Sequence, residues 1–292
     1  GQILSDLGVT VLTDDVFRKP ESEGFGKLNI ISQWSYPNRV VQAAMEIAKL
    51  PHNVQLIQLN SFGCGPDSFF MDETRDILKA VGKNITVLRI DEIASPGSIR
   101  LRLRSLVESL KAVKATDNIL TESYRGYTVP YTKEKYAKKT ILIPWLADFL
   151  NPFAPALGDL LGVKVQNLPK SNKQSADMGL MYGNNEVCYP STLILGDIIS
   201  TLQSGLYDLK DIVVAITQTG GQCRATNYIA QIKSGLQNAG LMDVPVIALT
   251  SGDTYQNGES EFSLDWKKLS KIAVPLVLFG DGLQQMHGVI SV

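Results

Sequence analysis

Histidine, cysteine and the common catalytic motifs are scarce or missing in this chain of 292 residues. Its 2 histidines, His52 and His287, do not stand in contexts typical of a Ser-His-Asp or Cys-His mechanism. The sequence contains no G-x-G-x-x-G, no G-x-x-x-x-G-K-[ST], no H-E-x-x-H and no C-x-x-C. These absences argue against a dinucleotide-binding enzyme, a P-loop ATPase, a zinc protease and a dithiol oxidoreductase.

The chain also lacks an excess of charge of either sign. Its 28 Lys and Arg residues against 29 Asp and Glu give a formal net charge of -1, which argues against a general nucleic-acid binder. No apolar run approaches the ~18 residues of a membrane helix, and no secretory leader is recognisable. Three cysteines are too few, and odd in number, for a disulfide scaffold. We therefore expect a cytoplasmic protein without nucleic-acid or membrane partners.

Apolar residues are plentiful, at 44%, and they recur in a regular order. A short apolar run, a turn and a helical pattern follow one another repeatedly, which predicts βαβ units and a parallel sheet. The strands are predicted at Val9–Leu12, Leu28–Ser32, Val54–Leu59, Ile85–Ile90, Ile141–Pro144, Val163–Asn167, Ile212–Thr217 and Val244–Leu249. The helices are predicted at Pro37–Lys49, Asp67–Val81, Ser95–Val113, Pro155–Leu161, Tyr189–Leu202, Ala225–Ala239 and Asp265–Leu278.

A polar stretch rich in Lys and Tyr interrupts this alternation and predicts a domain boundary. We expect a first α/β domain at 1–116, a linker at 117–139, a second α/β domain at 140–252 and a helical tail at 253–292. The opening residues resemble the end of a helix that Gly8 terminates. From this opening we expect the chain to be a fragment from which the first strand and helix of the leading unit have been cut off.

All three cysteines are predicted in turns just before helices. Cys64 lies in SFGCGPD after a predicted strand, Cys188 in NNEVCYP, and Cys223 in TGGQCR after another strand. The positive end of a helix dipole favours a thiolate, the form that binds metals. The carboxyl ends of parallel strands also form the ligand crevice of open α/β sheets.

The residues alone leave three interpretations of these cysteines open. Free cysteine is commonly a small buried hydrophobe, although flanking glycines are unusual for a core position. A structural zinc site needs four ligands, mostly in paired short spacings, whereas separations of 124 and 35 residues supply three thiols. Three thiolates suit an iron–sulfur cluster that keeps one iron open.

Two other groups of residues are weaker candidates. Arg100, Arg102 and Arg104 could face a phosphate-bearing ligand, but a solvated helix face is the commoner interpretation. The tyrosines of the polar stretch favour packing over nucleic-acid stacking, because the surrounding charge is small. These residues are Tyr124, Tyr127, Tyr131 and Tyr136.

Four segments resemble one known family. They are NSFGCGPD at 60–67, DEI at 91–93, NNEVCYP at 184–190 and GGQCRATNY at 220–228. Together they are similar to the 2-hydroxyacyl-CoA dehydratase superfamily, and more closely to the dehydratase-like portion of the large 2-hydroxyglutaryl-CoA dehydratase activators, or CoA-substrate-specific activase-related proteins. The resemblance extends from about residue 3 to residue 286 and implies that the helical tail is truncated after His287.

The resemblance implies two flavodoxin-like, doubly wound domains that face each other across a four-iron four-sulfur cluster. Cys64, Cys188 and Cys223 would hold this cluster at one end of both sheets. In the dehydratases the cluster takes one electron from an ATP-hydrolysing activase and drives radical removal of a β-hydroxyl from an acyl-CoA, through a ketyl radical. A related branch carries a double cubane and reduces small molecules, so the cluster size stays open here.

The resemblance further implies a lyase or reductase component that works anaerobically with an activase and an acyl-CoA substrate. The activase domains that precede this region in the large proteins are not visible here, so a partner would supply ATP hydrolysis. Glu186 and Gln222, each near a cysteine in sequence, are candidates for contacts to the cluster ligands or to the substrate. The alternative is a non-catalytic module that docks to the activase or to a dehydratase subunit. The oligomeric state stays open, a dimer included.

Overall fold

The computed structural model describes residues 1–17, 35–60, 67–90, 95–112, 129–218, 224–249, 262 and 264–290. The chain divides into two compact units, Gly1–Gly126 and Tyr127–Val292. Both are α/β, and every strand pair in the described ranges is parallel. None of the described helices is long and apolar enough to cross a membrane.

The first unit contains one pair of parallel strands surrounded by helices. Strands β1 (Ile57–Asn60) and β2 (Thr86–Arg89) pair in register, with Leu59 opposite Leu88. The described helices are α1 (Gln2–Asp6), α2 (Ser35–Ala48), α3 (Asp67–Lys79) and α4 (Pro96–Ala112), with a 3₁₀ turn at Asp14–Phe17.

Helices α2 and α3 of this unit pack on one another through amphipathic faces. Val41 and Ala44 of α2 and Phe70 and Leu78 of α3 are all at most 1% exposed. The turn that follows α3 contains Gly82, whose φ of +72° is accessible to glycine without strain. The predicted helices at Pro37–Lys49 and Asp67–Val81 are thus confirmed within two residues at each end.

The second unit contains a four-stranded parallel sheet with the spatial order β4-β3-β5-β6. Its central strand β5 is buried along five of its six residues, as expected of a strand with neighbours on both sides. The strands are β3 (Thr140–Ile143), β4 (Val165–Asn167), β5 (Ile212–Thr217) and β6 (Val246–Leu249). The helices are α5 (Lys133–Tyr136), α6 (Ala154–Leu161), α7 (Lys173–Tyr182), α8 (Tyr189–Gln203), α9 (Tyr228–Asn238) and α10 (Trp266–Ile290).

Glycines allow three helices of the second unit to approach very closely. A Cβ at Gly179 of α7 would overlap the carbonyl oxygen of Thr192, and one at Gly196 of α8 would overlap that of Ser175. This register makes α7 and α8 antiparallel. On α9, a Cβ at Gly235 would lie 2.5 Å from a methyl of Leu195.

The long helix α10 continues beyond the predicted end at Leu278 and is not broken by its internal Pro275. Its backbone approaches the unit at Gly280, where a Cβ would overlap the carbonyl oxygen of Phe149. Near its start, Lys268 Nζ donates to the carbonyl oxygen of Leu160 at 2.5 Å. Its exposed apolar side chains are Val274, Leu278, Phe279, Leu283, Met286, Val289 and Ile290.

One predicted element is wrong, and one observed helix was not predicted. The run Val9–Leu12 is not a strand, because Val9 packs on the small core around Leu4 whereas Val11 and Leu12 are exposed. Helix α7 was missed entirely. The predicted strand at Leu28–Ser32 and residues 117–128 of the predicted linker lie outside the described residues, so the linker limits stay a prediction.

Candidate functional site

Cys188 is the N-cap residue of helix α8, the position predicted for it. Its backbone is extended, with φ −62° and ψ 146°, and Pro190 follows in the first helical turn. The thiol does not cap the helix, and the residue is partly buried. The sulfur therefore lies at the positive end of the α8 dipole without being committed to the helix backbone.

The sulfur of Cys188 contacts the start of a second helix. Its Sγ lies 2.9 Å from the hydroxyl oxygen of Tyr228, the first residue of α9. One turn further along both helices, the Ser191 hydroxyl donates to Oε1 of Gln231. Leu195 meets Gly235 a turn beyond. The three contacts show that α8 and α9 run in the same direction and begin at the same end.

That end is the carboxyl end of strand β5. The Gln218 backbone N–H, directly after β5, donates to the carbonyl oxygen of Leu249 at 3.1 Å. Its side-chain Nε2 donates to the carbonyl oxygen of Thr226 at 3.0 Å, within the 3₁₀ turn Arg224–Asn227 that leads into α9. Cys188 therefore lies at the edge of the sheet where ligands of open α/β folds bind.

A buried polar layer lies beneath the sulfur. Gln231 is 4% exposed, and its Nε2 has no hydrogen-bond partner in the described part of the chain. The amide nitrogen faces Gly183, where a Cβ would lie only 2.9 Å from it. Ser191 and Thr192 of α8 are each 2% exposed. Such a layer is unusual for a cysteine that only fills an apolar core.

A short turn positions the residues before Cys188. The Asn184 side-chain oxygen accepts a hydrogen bond from the backbone N–H of Glu186 at 2.8 Å, a local turn typical of Asn. Glu186 itself is partly buried and two residues from the thiol. Its predicted contact with a ligand or a substrate stays a prediction.

Cys64, Cys223 and Gln222 lie outside the described residues, as does the segment 91–93. The elements on either side of two of them are nevertheless as predicted. Strand β1 ends four residues before Cys64 and α3 begins three residues after it, while Cys223 is bonded to the first residue of the 3₁₀ turn before α9. Among the described residues no group of three His, Cys, Asp or Glu could hold a metal. The ligand set and its convergence therefore stay predictions.

The sequence analysis did not identify the residues of the second unit that lie near the Cys188 sulfur as site residues. Tyr228 and Gln231 are separated by three positions, as are Cys188 and Ser191, so each pair shares a helix face. This spacing is visible in the sequence. The contact between the two helices is not, because it joins positions 40 residues apart.

Asp197 is a buried carboxylate on the same helix as Cys188 but away from the sulfur. It lies nine residues further, about 13 Å along the helix axis. Burial raises the pKa of the Asp197 carboxyl, while hydrogen bonds from Ser171, at 2.5 Å, and from Ser175 oppose that rise. Both serines surround the N-terminus of α7, so this group joins two helices and is not part of the Cys188 site.

The weaker candidates have structural roles where the structure describes them. Arg100, Arg102 and Arg104 are all exposed on α4, which confirms the solvated-face interpretation. Tyr131 stacks on Tyr136 with ring centroids 5.6 Å apart and meets Phe262 edge-on, so these two tyrosines pack in the core.

No protein-family model, no curated protein and no solved structure matches this chain. A functional conclusion therefore depends on the residues, the fold and the geometry around Cys188.

Proposed function

We propose that this chain is the iron–sulfur component of a 2-hydroxyacyl-CoA dehydratase or activase type of system. Cys64, Cys188 and Cys223 would hold a four-iron four-sulfur cluster that accepts an electron from an ATP-dependent activase. The observation that carries the proposal is the position of Cys188. Its sulfur lies beside the first residue of α9, at the carboxyl end of β5, where the segment containing Cys223 begins.

The order of the strands supports the proposed flavodoxin-like, doubly wound architecture. Numbered within the second unit, β4-β3-β5-β6 corresponds to the order 2-1-3-4, the beginning of the flavodoxin-like order 2-1-3-4-5. In that order the ligand crevice opens between the first and third strands, here β3 and β5. Cys188 contacts Tyr228, the first residue of α9, and α9 follows β5 along the chain. The proposed ligand therefore lies on the β5 side of this crevice.

The surroundings of Cys188 fit a thiolate ligand better than a core thiol. The sulfur is at a helix N-terminus, is only partly buried and has a hydroxyl as its neighbour. A helix N-terminus and a neighbouring hydroxyl can both interact favourably with the negative charge of a sulfur bound to metal. When bound, the cluster would supply one-electron transfer and an open iron that can polarise an oxygen. Glu186 and Gln222 would contact the ligands or the substrate.

Iron and acid-labile sulfide analysis after anaerobic reconstitution tests the proposal. We expect about four irons and four sulfides in the wild type. Cys64→Ala, Cys188→Ala and Cys223→Ala should each lose most of the iron while the protein keeps its thermal unfolding temperature. Leu206→Ala, at an exposed position three residues past the end of α8, serves as the control and should retain the iron.

Two results would overturn the proposal. A wild-type protein without iron that still binds the activase would favour the alternative, a docking module without a cluster. Cysteine variants that unfold the protein by about 1–3 kcal/mol without changing its iron content would favour core cysteines.

The proposed cluster has three thiolate ligands, so one iron should lack a cysteine. We expect the spectrum of the reconstituted cluster to change when an acyl-CoA or a small exogenous ligand is added. A spectrum that no such ligand changes, or a fourth side-chain ligand such as His52, would contradict the open site and favour a closed electron relay or a zinc site.

A further inference from the structure

We propose that Tyr228 is a positioning residue for Cys188, whose hydroxyl donates a hydrogen bond to the sulfur and thereby sets the reduction potential of the cluster bound there. The inference rests on the proposed function. It goes beyond that function because it assigns control of the reduction potential to Tyr228, a residue other than the three cysteines.

The position of the Tyr228 hydroxyl is fixed by packing as well as by its contact with sulfur. The Tyr228 ring is partly buried and packs against the main core of the second unit. The Ser191–Gln231 hydrogen bond and the close approach of Leu195 to Gly235 hold α8 and α9 in one register. A hydroxyl on so constrained a ring can hold a sulfur atom in one orientation.

The direction of the hydrogen bond follows from the chemistry of a ligand sulfur. From geometry alone, either atom at this 2.9 Å contact could donate. A cysteine bound to iron has no proton, so its sulfur can only accept. The phenol hydroxyl then carries the one hydrogen available at this contact and becomes the donor.

The buried side-chain amide of Gln231 is a second observation that favours a negatively charged group near the N-termini of α8 and α9. Gln231 is 96% shielded from solvent, yet its Nε2 lacks a partner within the described ranges. It lies on the same face of α9 as Tyr228, one turn below the sulfur contact. An unpartnered buried N–H donor costs stability, and a nearby negative group would offset that cost. Gln231 thus adds an unpartnered buried donor one helical turn from the Tyr228 hydroxyl.

A hydrogen bond to a ligand sulfur stabilises the reduced, more negative cluster over the oxidised one. Removing the Tyr228 hydroxyl should therefore lower the reduction potential, whereas a more acidic phenol should raise it. Loss of a group that orients a ligand also weakens metal binding, typically 10- to 100-fold. We expect a chelator to remove iron from the Tyr228→Phe protein about 10-fold faster than from the wild type.

The experiment measures the midpoint potential and the rate of iron loss to a chelator in anaerobically reconstituted protein. Tyr228→Phe should lower the potential, and Tyr228→3-fluorotyrosine, made by codon reassignment, should raise it. The matched control is Tyr207→Phe, which removes a hydroxyl from a partly buried tyrosine against the same core. It should change neither quantity.

The outcomes separate this inference from the function on which it rests. Opposite potential shifts in the two Tyr228 variants support the role, because a purely structural role would not respond to phenol acidity. If both variants bind as much iron as the wild type and have the same midpoint potential, the Tyr228 inference is overturned and the proposed function stands. A wild-type protein that binds no iron overturns both. If Tyr228→Phe fails to fold, the fluorotyrosine variant alone decides, since it keeps the ring and the hydroxyl.

Discussion

The two units differ in how their described residues make a core. In the second unit, the central strand β5 is buried along most of its length, and helices α7, α8 and α9 pack through glycines at backbone distance. In the first unit, β1 and β2 each have only one or two buried residues. Its interior includes polar side chains that are fully hydrogen-bonded or nearly so, among them Thr74 and Lys83.

This difference indicates two sources of stability. The second unit depends on close packing, in which shape complementarity leaves no room for added atoms. In the described part of the first unit, hydrogen bonds that satisfy buried polar groups add to the stability that the packing of α2 on α3 provides. Lys83 is the clearest case, since its ammonium donates to four backbone carbonyl oxygens, those of Ile47, Leu50, Pro51 and Val54, at 2.6–3.2 Å.

The largest effect is expected where α7 meets α8. Gly179→Ala places a methyl group onto the carbonyl of Thr192, so the helices must separate. We expect the free energy of unfolding of the second unit to fall by at least about 3 kcal/mol, measured by urea denaturation. Gly282→Ala in α10 is the control, because its added Cβ meets nothing within 4 Å, and it should be neutral or stabilise by about 0.5–1 kcal/mol. A neutral Gly179→Ala would contradict the close-packing account.

A smaller but still large effect is expected at Lys83 of the first unit. Burial lowers the pKa of Lys83, yet one of its four carbonyl partners, that of Ile47, lies in the last turn of α2, where a cation is favourable. Lys83→Met keeps much of the shape but removes the ammonium from all four carbonyl oxygens, of which those of Ile47 and Pro51 still accept a backbone N–H. It should cost about 2–4 kcal/mol and speed amide exchange in peptides covering the end of α2. The exposed Lys79→Met, at the end of α3, should cost no more than about 0.5 kcal/mol.

A third effect is expected at Asp197, a buried carboxyl that makes the stability of the second unit depend on pH. Because burial raises the pKa of Asp197 in the folded protein, ionisation of this carboxyl disfavours the folded state. The penalty is absent below the unfolded pKa of about 3.9 and complete above the folded pKa. We therefore expect Asp197→Asn to gain stability relative to the wild type as pH rises from about 4 towards neutrality.

Urea unfolding at a series of pH values measures this change. Asp177→Asn, on the exposed face of α7, corrects for the loss of one negative charge. A stability difference between Asp197→Asn and the wild type that shrinks as pH rises would show that Asp197 is stabilised when ionised.

The smallest effect is expected on the exposed face of α4. Arg102 Nη1 donates to the Val87 carbonyl oxygen at 3.2 Å, but the contact is exposed to solvent. Arg102→Ala should change the free energy of unfolding of the first unit by less than about 0.5 kcal/mol. A loss of 2 kcal/mol or more would mean that polar contacts at the surface, and not only buried ones, stabilise this unit.

Local signals in the sequence predicted much of this fold. Glycines after apolar helical patterns predicted the ends of α3 and α9, and Gly82 and Gly240 both have positive φ. The uninterrupted apolar run of β5 predicted its limits to the residue. These features are encoded within a few positions of the chain, so one sequence is enough to find them.

Features that depend on tertiary contacts were not predictable in this way. Helix α7 has a polar sequence with Gly179 inside it, and packing on α8 gives that glycine its role. The run Val9–Leu12 has the composition of a strand, but only Val9 finds a core to pack on. At the candidate site, the turn position of Cys188 was predicted, whereas its contact with Tyr228 required the three-dimensional arrangement.

The central claim is that Cys64, Cys188 and Cys223 share one iron–sulfur cluster. Anaerobic crystallography with anomalous diffraction at the iron edge tests it most directly, because it locates iron independently of the protein density. The account predicts one compact iron peak bonded to the sulfurs of all three cysteines, with one iron lacking a cysteine ligand and the Tyr228 hydroxyl within hydrogen-bond distance of the Cys188 sulfur. Three sulfurs that lie in separate places, in protein shown to retain its iron, would contradict it.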